Sequence, residues 1–371
     1  MNKVRTLAIA LMALTLFACK KQEPKQTEAT VLSLRIDDAE LRAIEDQINA
    51  GATTEITSNV TISLNNGTGR TYKLSDQQIE QAKSAQGCRL EVTDVVTSVD
   101  LVANAVVTDD TNIADWQGKG GEAFKKQIPL TATTSTITTT TEGDKTVYKA
   151  ELTPVPPFAR LEVFGKITPA KTSTNKCAFE SIEVKEVTIN NYLETRNAAT
   201  RYFTDHNTTL NGFANTPARK AEMMDAITDK TAFEAGTKAA AYQLFPKKTT
   251  GEKADVSDHV ILKLAIKYST DAIAKGFPAG EQIRYVTIKK FKTDAKVSGK
   301  PPVNIPALRF NVGTIYKLDL KGLNDHFKTN EDGTPDPSNP DTTEPESKGK
   351  KELQLIVKPC TWTSQNILPE L

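Results

Sequence analysis

The sequence predicts a mostly β protein built from β-sandwiches. Apolar and polar residues alternate with a period of two in many places, which is typical of strands with one face in a core and one in water. These segments are short and are separated by turn residues, as at Asn65-Asn66-Gly67, a pattern that favours sandwiches. Helical segments are few and short, so helices are expected to be minor insertions.

The alternation predicts the strands in chain order. Leu32, Leu34 and Ile36 share one face of the first strand, and the alternation is longest from Val260 to Tyr268. The remaining strands are predicted at Val60–Leu64, Leu90–Val107 with a break inside, Ala159–Ile167, Ile182–Ile189, Ile283–Phe291, Thr314–Leu320 and Glu352–Val357. The Thr-rich run Thr131–Thr141 is compatible with a solvated hairpin or an edge strand.

Two segments are predicted to be helical. The first is Asp76–Gln86, where Ser75 and Gln78 can form a capping box. Gly87 follows it and can end the helix. The second, Thr216–Leu244, has a proline at its second position and is interpreted as an elaborated loop.

The chain length indicates two domains. About 350 residues would remain after removal of a signal peptide, which is more than one core of usual size accommodates. The segment Pro154-Val155-Pro156-Pro157 is the predicted junction, because proline fixes φ and restricts the preceding residue to extended conformations. The predicted domains are residues 43–155 and 156–371. The acidic, proline-rich segment Glu331–Glu346 is expected to be a long mobile loop, since nothing in it can be buried.

The N-terminus has the features of a lipoprotein signal peptide. Two basic residues precede an apolar run, Leu7–Phe17, that is too short to span a bilayer and leads to Ala18-Cys19. Residues 1–18 are therefore predicted to be cleaved, and Cys19 is predicted to carry the lipid. The alternative is an ordinary signal peptide with a chance cysteine. Either peptide sends the mature chain to the periplasm or outside the cell.

The charges and cysteines exclude several classes of function. With 47 basic and 46 acidic residues, the sequence offers no electrostatic case for binding nucleic acid. Beyond Cys19, only Cys88, Cys177 and Cys360 remain, and their spacing does not suit a metal. At most one disulfide can form. Cys177 with Cys360 is the candidate, and three separate thiols are the alternative.

The sequence contains no recognisable catalytic constellation. The three histidines, His206, His259 and His326, are far apart, and there is no Gly-x-Ser-x-Gly elbow or phosphate loop. The acidic run Asp332–Asp341 lacks the ligand order of an EF-type calcium loop. We therefore expect neither an enzyme nor a bound metal or cofactor.

Several separated segments occur in a characteristic succession. They are Ala29–Ile36 followed by Arg42-Ala43, Val99–Asn104, Ile128–Thr131, Phe158–Val163, Val312–Leu318, Pro335–Pro340 and Leu353–Trp362. In this order they resemble segments of the fimbrillin family of Bacteroidetes, the subunits of type V pili. The resemblance covers nearly the full length of the chain. The helical segment Thr216–Leu244 departs from the family pattern.

The resemblance implies two tandem transthyretin-like β-sandwich domains with short helical insertions. It also implies a lipidated precursor at the outer membrane, in which residues 19–42 form a propeptide whose strand covers a groove. An Arg-specific protease would release the propeptide, with the cut expected after Arg42 and Arg35 as the second choice. The alternative is that Arg42 lies in a short surface helix, Asp38–Gln47, and is never cut.

The vacated groove would then accept a C-terminal strand from a neighbouring subunit. Copies would add head to tail into a surface fimbria that supports adhesion, with other fimbrial subunits, the protease and the outer membrane as partners. The expected donor is Glu352–Leu371, which could instead pack on its own domain as a last strand. The apolar donor candidates are Leu353, Leu355, Val357, Trp362, Ile367, Leu368 and Leu371.

Another class of function is a monomeric, surface-anchored glycan-binding or adhesin lipoprotein. Trp116 or Trp362 could then be a platform for a sugar. Both tryptophans are instead interpreted as core or groove residues, because neither has neighbouring aromatic or amide clusters in the sequence. A secreted hydrolase is a third alternative, for which the catalytic residues are missing.

Overall fold

The computed structural model of the chain describes residues 30–36, 41–42, 53–54, 56, 59–93, 95–117, 128–198, 201–203, 223–246, 258–293, 310, 312–345 and 353–361. In these residues the protein is mostly β with few short helices, which confirms the prediction of a mostly β protein in which helices are minor insertions. The strands of the first half are β1 (Thr30–Ile36), β2 (Leu41–Arg42), β3 (Thr53–Thr54), β4 (Thr61–Leu64), β5 (Thr71–Lys73), β6 (Cys88–Val92), β7 (Val99–Ala103), β8 (Leu130–Thr134), β9 (Ile137–Glu142) and β10 (Lys145–Leu152). Those of the second half are β11 (Ala159–Phe164), β12 (Phe179–Asn190), β13 (Met224–Ala226), β14 (Ala240–Leu244), β15 (His259–Tyr268), β16 (Glu281–Thr293), β17 (Thr314–Asp319) and β18 (Leu353–Thr361).

The helices are α1 (Asp76–Lys83), α2 (Lys230–Ala235) and α3 (Thr270–Ile273), with 3₁₀ segments at Asn65–Gly67, Ile113–Trp116 and Leu320–His326. The predicted capping box of α1 is confirmed. The Ser75 backbone N–H donates to Gln78 Oε1 at 2.9 Å, and the Gln78 N–H donates to Ser75 Oγ at 3.3 Å. The helix ends at Lys83 rather than Gln86, because Ser84 has an extended conformation.

In the described residues of the first half of the chain, the strands pair with one another in three sheets. One sheet has the order β6-β1-β10-β9, a second has the order β5-β4-β7-β8, and β2 pairs with β3. Side chains of the first two sheets and of α1 belong to one continuous hydrophobic cluster. Burial alternates strictly along β6, as the period-two pattern of the sequence predicts.

Strands from the second half of the chain form a sheet with the order β13-β12-β15-β16-β18-β17-β11-β14. Strand β18 joins the two parts of this sheet. Its residues 353–357 run parallel to β16, and its residues 358–361 run antiparallel to β17. The two halves of the chain meet where the Gln117 Nε2 atom donates to the Gln243 carbonyl at 2.7 Å.

The predicted helix Thr216–Leu244 is wrong for the described part of that segment. Strand β13 and strand β14 lie there, and only Met223, in a 3₁₀ conformation, and the short helix α2 are helical. Gly236 ends α2 because it adopts a left-handed conformation with φ 74°. Beyond it, Tyr242 lies opposite Leu161 of β11 and is fully buried, so packing against the sheet decides the conformation.

The acidic segment Glu331–Glu346 also differs from its prediction, because the described residues up to 345 have a defined, hydrogen-bonded path. Asn339 is buried; its Oδ1 accepts from the Lys328 N–H at 2.7 Å, and its Nδ2 donates to the Lys328 carbonyl at 3.0 Å. The Tyr285 and Thr342 backbones exchange hydrogen bonds of 2.8 and 2.9 Å. Hydrogen bonds between side chains and the backbone thus hold this segment in place of the apolar contacts that its sequence lacks.

Cys177 is a free thiol, so the candidate disulfide with Cys360 is not formed. Cys177 lies two residues before the start of β12, whereas Cys360 lies in β18 opposite Ile315. Within the residues that the structure describes, no helix is long and apolar enough to cross a membrane.

Candidate functional site: the groove around strand β1

Strand β1 is the first described strand of the chain, yet it lies inside its sheet. Residues 31–36 run parallel to residues 147–152 of β10. Residues 30–34 run antiparallel to residues 88–92 of β6. Strands β6 and β10 are therefore the two lips of a slot that β1 fills, which we call the β1 groove.

Two leucines of β1 point into the core. Leu32 and Leu34 are both 0% exposed. Leu32 lies opposite Leu90, and Leu34 lies between Cys88 of β6 and Ala150 of β10. Burial of each leucine stabilises the seated strand by about 1.5–3 kcal/mol. A strand that replaced β1 would need large apolar side chains at two alternate positions.

The outer face of β1 is polar at Ser33 and Arg35 and apolar at Val31, which is 8% exposed. Ser33 lies between Arg89 of β6 and Lys149 of β10. The Arg35 Nη1 atom lies 3.7 Å from Glu151 Oε1, and both side chains are largely exposed. Such an exposed ion pair contributes about 0–1 kcal/mol. The apolar face of β1, rather than its outer face, therefore provides most of the stabilisation.

Gly87 brings the turn after α1 close to the backbone of β1. It has a φ of 69°, which favours glycine, and a Cβ atom there would lie 2.7 Å from the Leu34 carbonyl oxygen. The same Cβ would also lie 3.6 Å from the Ser33 hydroxyl oxygen. A glycine at this position thus lets β1 sit fully in the groove.

Cys88 lies in the wall of the β1 groove. Its side chain is 1% exposed, it is not in a disulfide, and it lies opposite Leu34. Burial raises the pKa of the Cys88 thiol above its ordinary value. The thiol is therefore poorly ionised and inaccessible while β1 occupies the groove.

The two candidate cleavage residues have different surroundings. Arg35 lies in β1 opposite Glu151 of β10, one residue beyond the part of β1 that also pairs with β6. Arg42 lies in β2, opposite Thr53 of the short strand β3. The strand assignment at Leu41–Arg42 is inconsistent with the alternative of a helix over Asp38–Gln47 at those two residues. Cys19 lies outside the described residues.

The candidate donor residues divide between two parts of the chain. Leu353, Leu355 and Val357 lie in β18, which pairs within its own sheet. To donate these residues, the first part of β18 would have to separate from β16. The other candidates, Trp362, Ile367, Leu368 and Leu371, lie outside the described residues.

The remaining candidate side chains do not gather into one site. Trp116 is partly buried against the hydrophobic core, and its ring centroid lies 6.2 Å from that of Phe158. His259 lies near Asn191, and His326 ends a 3₁₀ segment, whereas His206 lies outside the described residues. In the described part of the chain, no three His, Cys, Asp or Glu side chains are grouped so that they could hold a metal.

The sequence does not reveal that Gly87 and Cys88 belong to the β1 groove. Gly87 is readable as the end of a helix and Cys88 as an isolated thiol. Their role depends on the pairing of β1 with β6, which connects distant parts of the chain. A signal is nonetheless present, because two small residues stand where an alternating strand begins, with Gly87 directly before it and Cys88 at its start.

No protein-family model and no curated protein sequence matches this chain. Solved structures do match it. A putative cell adhesion protein of Parabacteroides distasonis ATCC 8503 is 12% identical, with a TM-score of 0.47, 91% of this chain covered and 100% of that chain. The fimbrilin FimA of Porphyromonas gingivalis W83 is 12% identical, with a TM-score of 0.45, 91% of this chain covered and 98% of that chain.

The C-terminally truncated tip fimbrial protein Mfa3 of Porphyromonas gingivalis also matches, with 9% identity, a TM-score of 0.36, 78% of this chain covered and 94% of that chain. This chain therefore has structural matches across most of its length to fimbrilins and putative cell adhesion proteins of Bacteroidetes.

Proposed function

We propose that this protein is a structural subunit of a surface fimbria that assembles by protease-triggered strand exchange and supports adhesion. The observation that carries the proposal is the position of β1. A strand near the N-terminus of the chain fills the interior of a sheet and buries Leu32 and Leu34 completely. Interior strands of this kind are the ones whose removal leaves a groove that another strand can fill.

Cleavage after Arg42 would separate β1 from the rest of the chain. The released strand would leave the facing edges of β6 and β10 without a partner between them, together with the apolar floor that Leu32 and Leu34 cover. An open sheet edge pairs readily with other strands, so the precursor must keep it covered until assembly. In this account β1 is that cover.

The donor in this proposal is the C-terminal segment Glu352–Leu371 of a neighbouring copy. Its apolar residues would take the places of Leu32 and Leu34, and backbone hydrogen bonds to both lips would supply affinity. The surface that donates and the groove that accepts are different parts of the chain. Contacts between such different surfaces add copies head to tail, and they produce a filament when the rotation between copies does not close a ring.

The proposal includes a route to the cell surface. The chain would be exported with residues 1–18 as signal peptide, lipidated at Cys19, and held at the outer membrane until cleavage removes residues 19–42. The mature subunit would consist of two tandem transthyretin-like domains, residues 43–155 and 156–371. The pairing of strands within each half of the chain supports this division.

Electron microscopy of cells with and without the gene tests the proposal. We expect surface filaments that disappear with the gene and return on complementation. Filaments that are identical in both strains, with the protein remaining a monomer at the surface, would contradict the fimbrial role.

A further inference from the structure

An ion pair joins the two edge strands of the sheet that contains the β1 groove. The Nη2 atom of Arg89 on β6 lies 2.7 Å from Oε2 of Glu142 on β9, close enough for a charge-assisted hydrogen bond. Strands β1 and β10 lie between these two edge strands. The contact therefore bridges the whole width of the sheet.

The contact is made on the outer face, away from the core. Arg89 lies opposite Ser33, and Ser33 lies opposite Lys149, so these three side chains share a face. Glu142 lies opposite Lys145, which is on the same face as Lys149 because side chains alternate along a strand. The side chains of Arg89 and Glu142 thus meet over the outer side of β1 and β10.

Such a contact requires a strongly twisted sheet. In a flat sheet, three strand spacings and an offset of about four residues would put the two Cα atoms about 20 Å apart, too far for these side chains to meet. Arg89 and Glu142 lie at diagonally opposite corners of the sheet, and twist brings these two corners together over the outer face. Val31 and Val147 lie opposite each other between these corners, and they are only 8% and 1% exposed although they face outward.

We propose that the Arg89–Glu142 ion pair is a clasp that holds the two lips of the β1 groove together while strands leave and enter; this inference rests on the proposed function. Among the described residues, β1 is the only strand that pairs with β6. When β1 leaves, β6 loses its ladder. The ion pair then still connects β6 to the β9–β10 hairpin.

A second contact fixes the other side of β6. The Tyr72 hydroxyl of β5 donates to the Glu91 carbonyl of β6 at 2.8 Å. Strand β6 is thus held to the opposite sheet by Tyr72 and to the far edge of its own sheet by the clasp. With both contacts in place the slot keeps its width. Without the clasp, β6 separates more easily from β10, and β1 opens more often. After β1 has left, the empty groove does not keep the width that a new strand needs.

Hydrogen exchange of the full, uncut chain tests the clasp directly. Arg89→Ala and Glu142→Ala should each accelerate exchange of the β1 and β6 amides by about 1.5- to 5-fold, the range that a single exposed ion pair produces. The reversed pair Arg89→Glu with Glu142→Arg should restore slow exchange. At an ionic strength of about 1 M, where the Debye length is about 3 Å, the difference between wild type and single variants should shrink.

A matched control is the ion pair of Lys83 and Glu80 on α1, at 3.0 Å, in which the side chain of Glu80 is 74% exposed and that of Lys83 18%. Glu80→Ala should leave exchange in β1 and β6 unchanged. The clasp is refuted if the single variants exchange like wild type, or if the reversed pair exchanges as fast as they do. Should one single variant fail to fold, the reversed pair and the other single variant still decide.

The test separates the clasp from the proposed function, because it needs neither cleavage nor polymerisation. Altered exchange in a protein that forms no filaments would leave the clasp standing and remove the fimbrial role. If filaments do form, their growth after proteolysis should be slower in both single variants and normal in the reversed pair. Growth at the wild-type rate in the single variants would contradict the role of the clasp in strand uptake.

Discussion

Leu34 of β1 lies directly opposite Cys88 of β6, and both side chains are buried. Leu34 belongs to β1, the strand that is proposed to leave. Cys88 belongs to β6, one of the two lips of the groove, which is proposed to stay. An antiparallel pair of this kind places its Cα atoms about 4.5–5.5 Å apart. The protein therefore carries, within the groove itself, a buried free thiol that faces β1.

The Cys88 thiol should report removal of β1. In a Cys19→Ser, Cys177→Ser, Cys360→Ser background, reaction of Cys88 with a thiol reagent at pH 8 should be slow in the uncut chain. Burial hides the thiol and raises its pKa, so little thiolate is present. After treatment with an Arg-specific protease, the thiol should be exposed, its pKa should fall towards the ordinary value, and labelling should become fast.

Arg42→Ala is the control for that experiment. It should keep labelling slow in the presence of protease, whereas Arg35→Ala should not. If Arg42→Ala is labelled as fast as the parent and only Arg35→Ala is protected, the cut lies at the second-choice residue. Slow labelling of the fully cut parent protein would contradict the release of β1.

Gly87→Ala should loosen β1. The new Cβ would meet the Leu34 carbonyl oxygen, and the left-handed backbone would be strained. We expect a loss of about 1–2 kcal/mol in the free energy of unfolding from the backbone and about 1–3 kcal/mol from the clash. Urea unfolding measures the sum, and Cys88 labelling should accelerate in the uncut chain.

Gly280→Ala, directly before β16 in the sheet of the second half, is the matched control. Gly280 has a φ of 83°, and nothing lies within 4 Å of a Cβ placed there. This control variant should lose only the part of the free energy of unfolding that comes from backbone strain. Its rate of Cys88 labelling should be unchanged. Equal losses of stability in the two variants would mean that Gly87 does not press on β1.

Much of the fold is predictable from the sequence, because alternation records which face of a strand is buried. The break predicted within Leu90–Val107 does separate β6 from β7, and the alternation from Val260 to Tyr268 lies within β15. The pairing of β1 with β6 and β10 is not predictable in this way. Periodicity within a segment carries no information about which distant segment lies beside it.

Two segments were predicted wrongly, each for a different physical reason. Residues 223–244 contain good helix formers, but Tyr242 is buried against the sheet, and tertiary packing outweighs helix propensity. The acidic loop offers little to bury, yet Asn339 organises it by hydrogen bonds to the Lys328 backbone. Neither effect is visible in composition.

Cys19→Ala should leave the protein without lipid. Only the cysteine thiol can carry the diacylglycerol, so the variant should be misrouted and absent from fibres. Uptake of labelled palmitate measures the modification in cells. A variant that still takes up palmitate would contradict lipid attachment at Cys19.

Deletion of Ser364–Leu371 should leave a folded, lipidated monomer that does not polymerise. The deletion spares β18, which ends at Thr361 and joins the two parts of its sheet. Size-exclusion chromatography and circular dichroism after proteolysis measure assembly and folding. A truncated chain that still forms fibres, or one that is unfolded before cleavage, would show that these residues are not a donor.

A reversible lock on β1 tests the central claim most directly. In Leu34→Cys, the new thiol faces the natural Cys88, and the expected Cα separation of about 4.5–5.5 Å suits a disulfide. Oxidation would tie β1 to β6 even after the chain is cut. Thr61→Cys with Val102→Cys is the control, because these residues lie opposite each other in β4 and β7 of the other sheet.

The measurement is filament formation, by negative-stain electron microscopy, after cleavage with an Arg-specific protease. The account predicts that oxidised Leu34→Cys stays monomeric after cleavage and forms filaments once reductant is added. The control disulfide should polymerise equally in both states, which excludes an effect of oxidation alone. Filaments that grow at the same rate from oxidised and reduced Leu34→Cys would contradict strand exchange at the β1 groove.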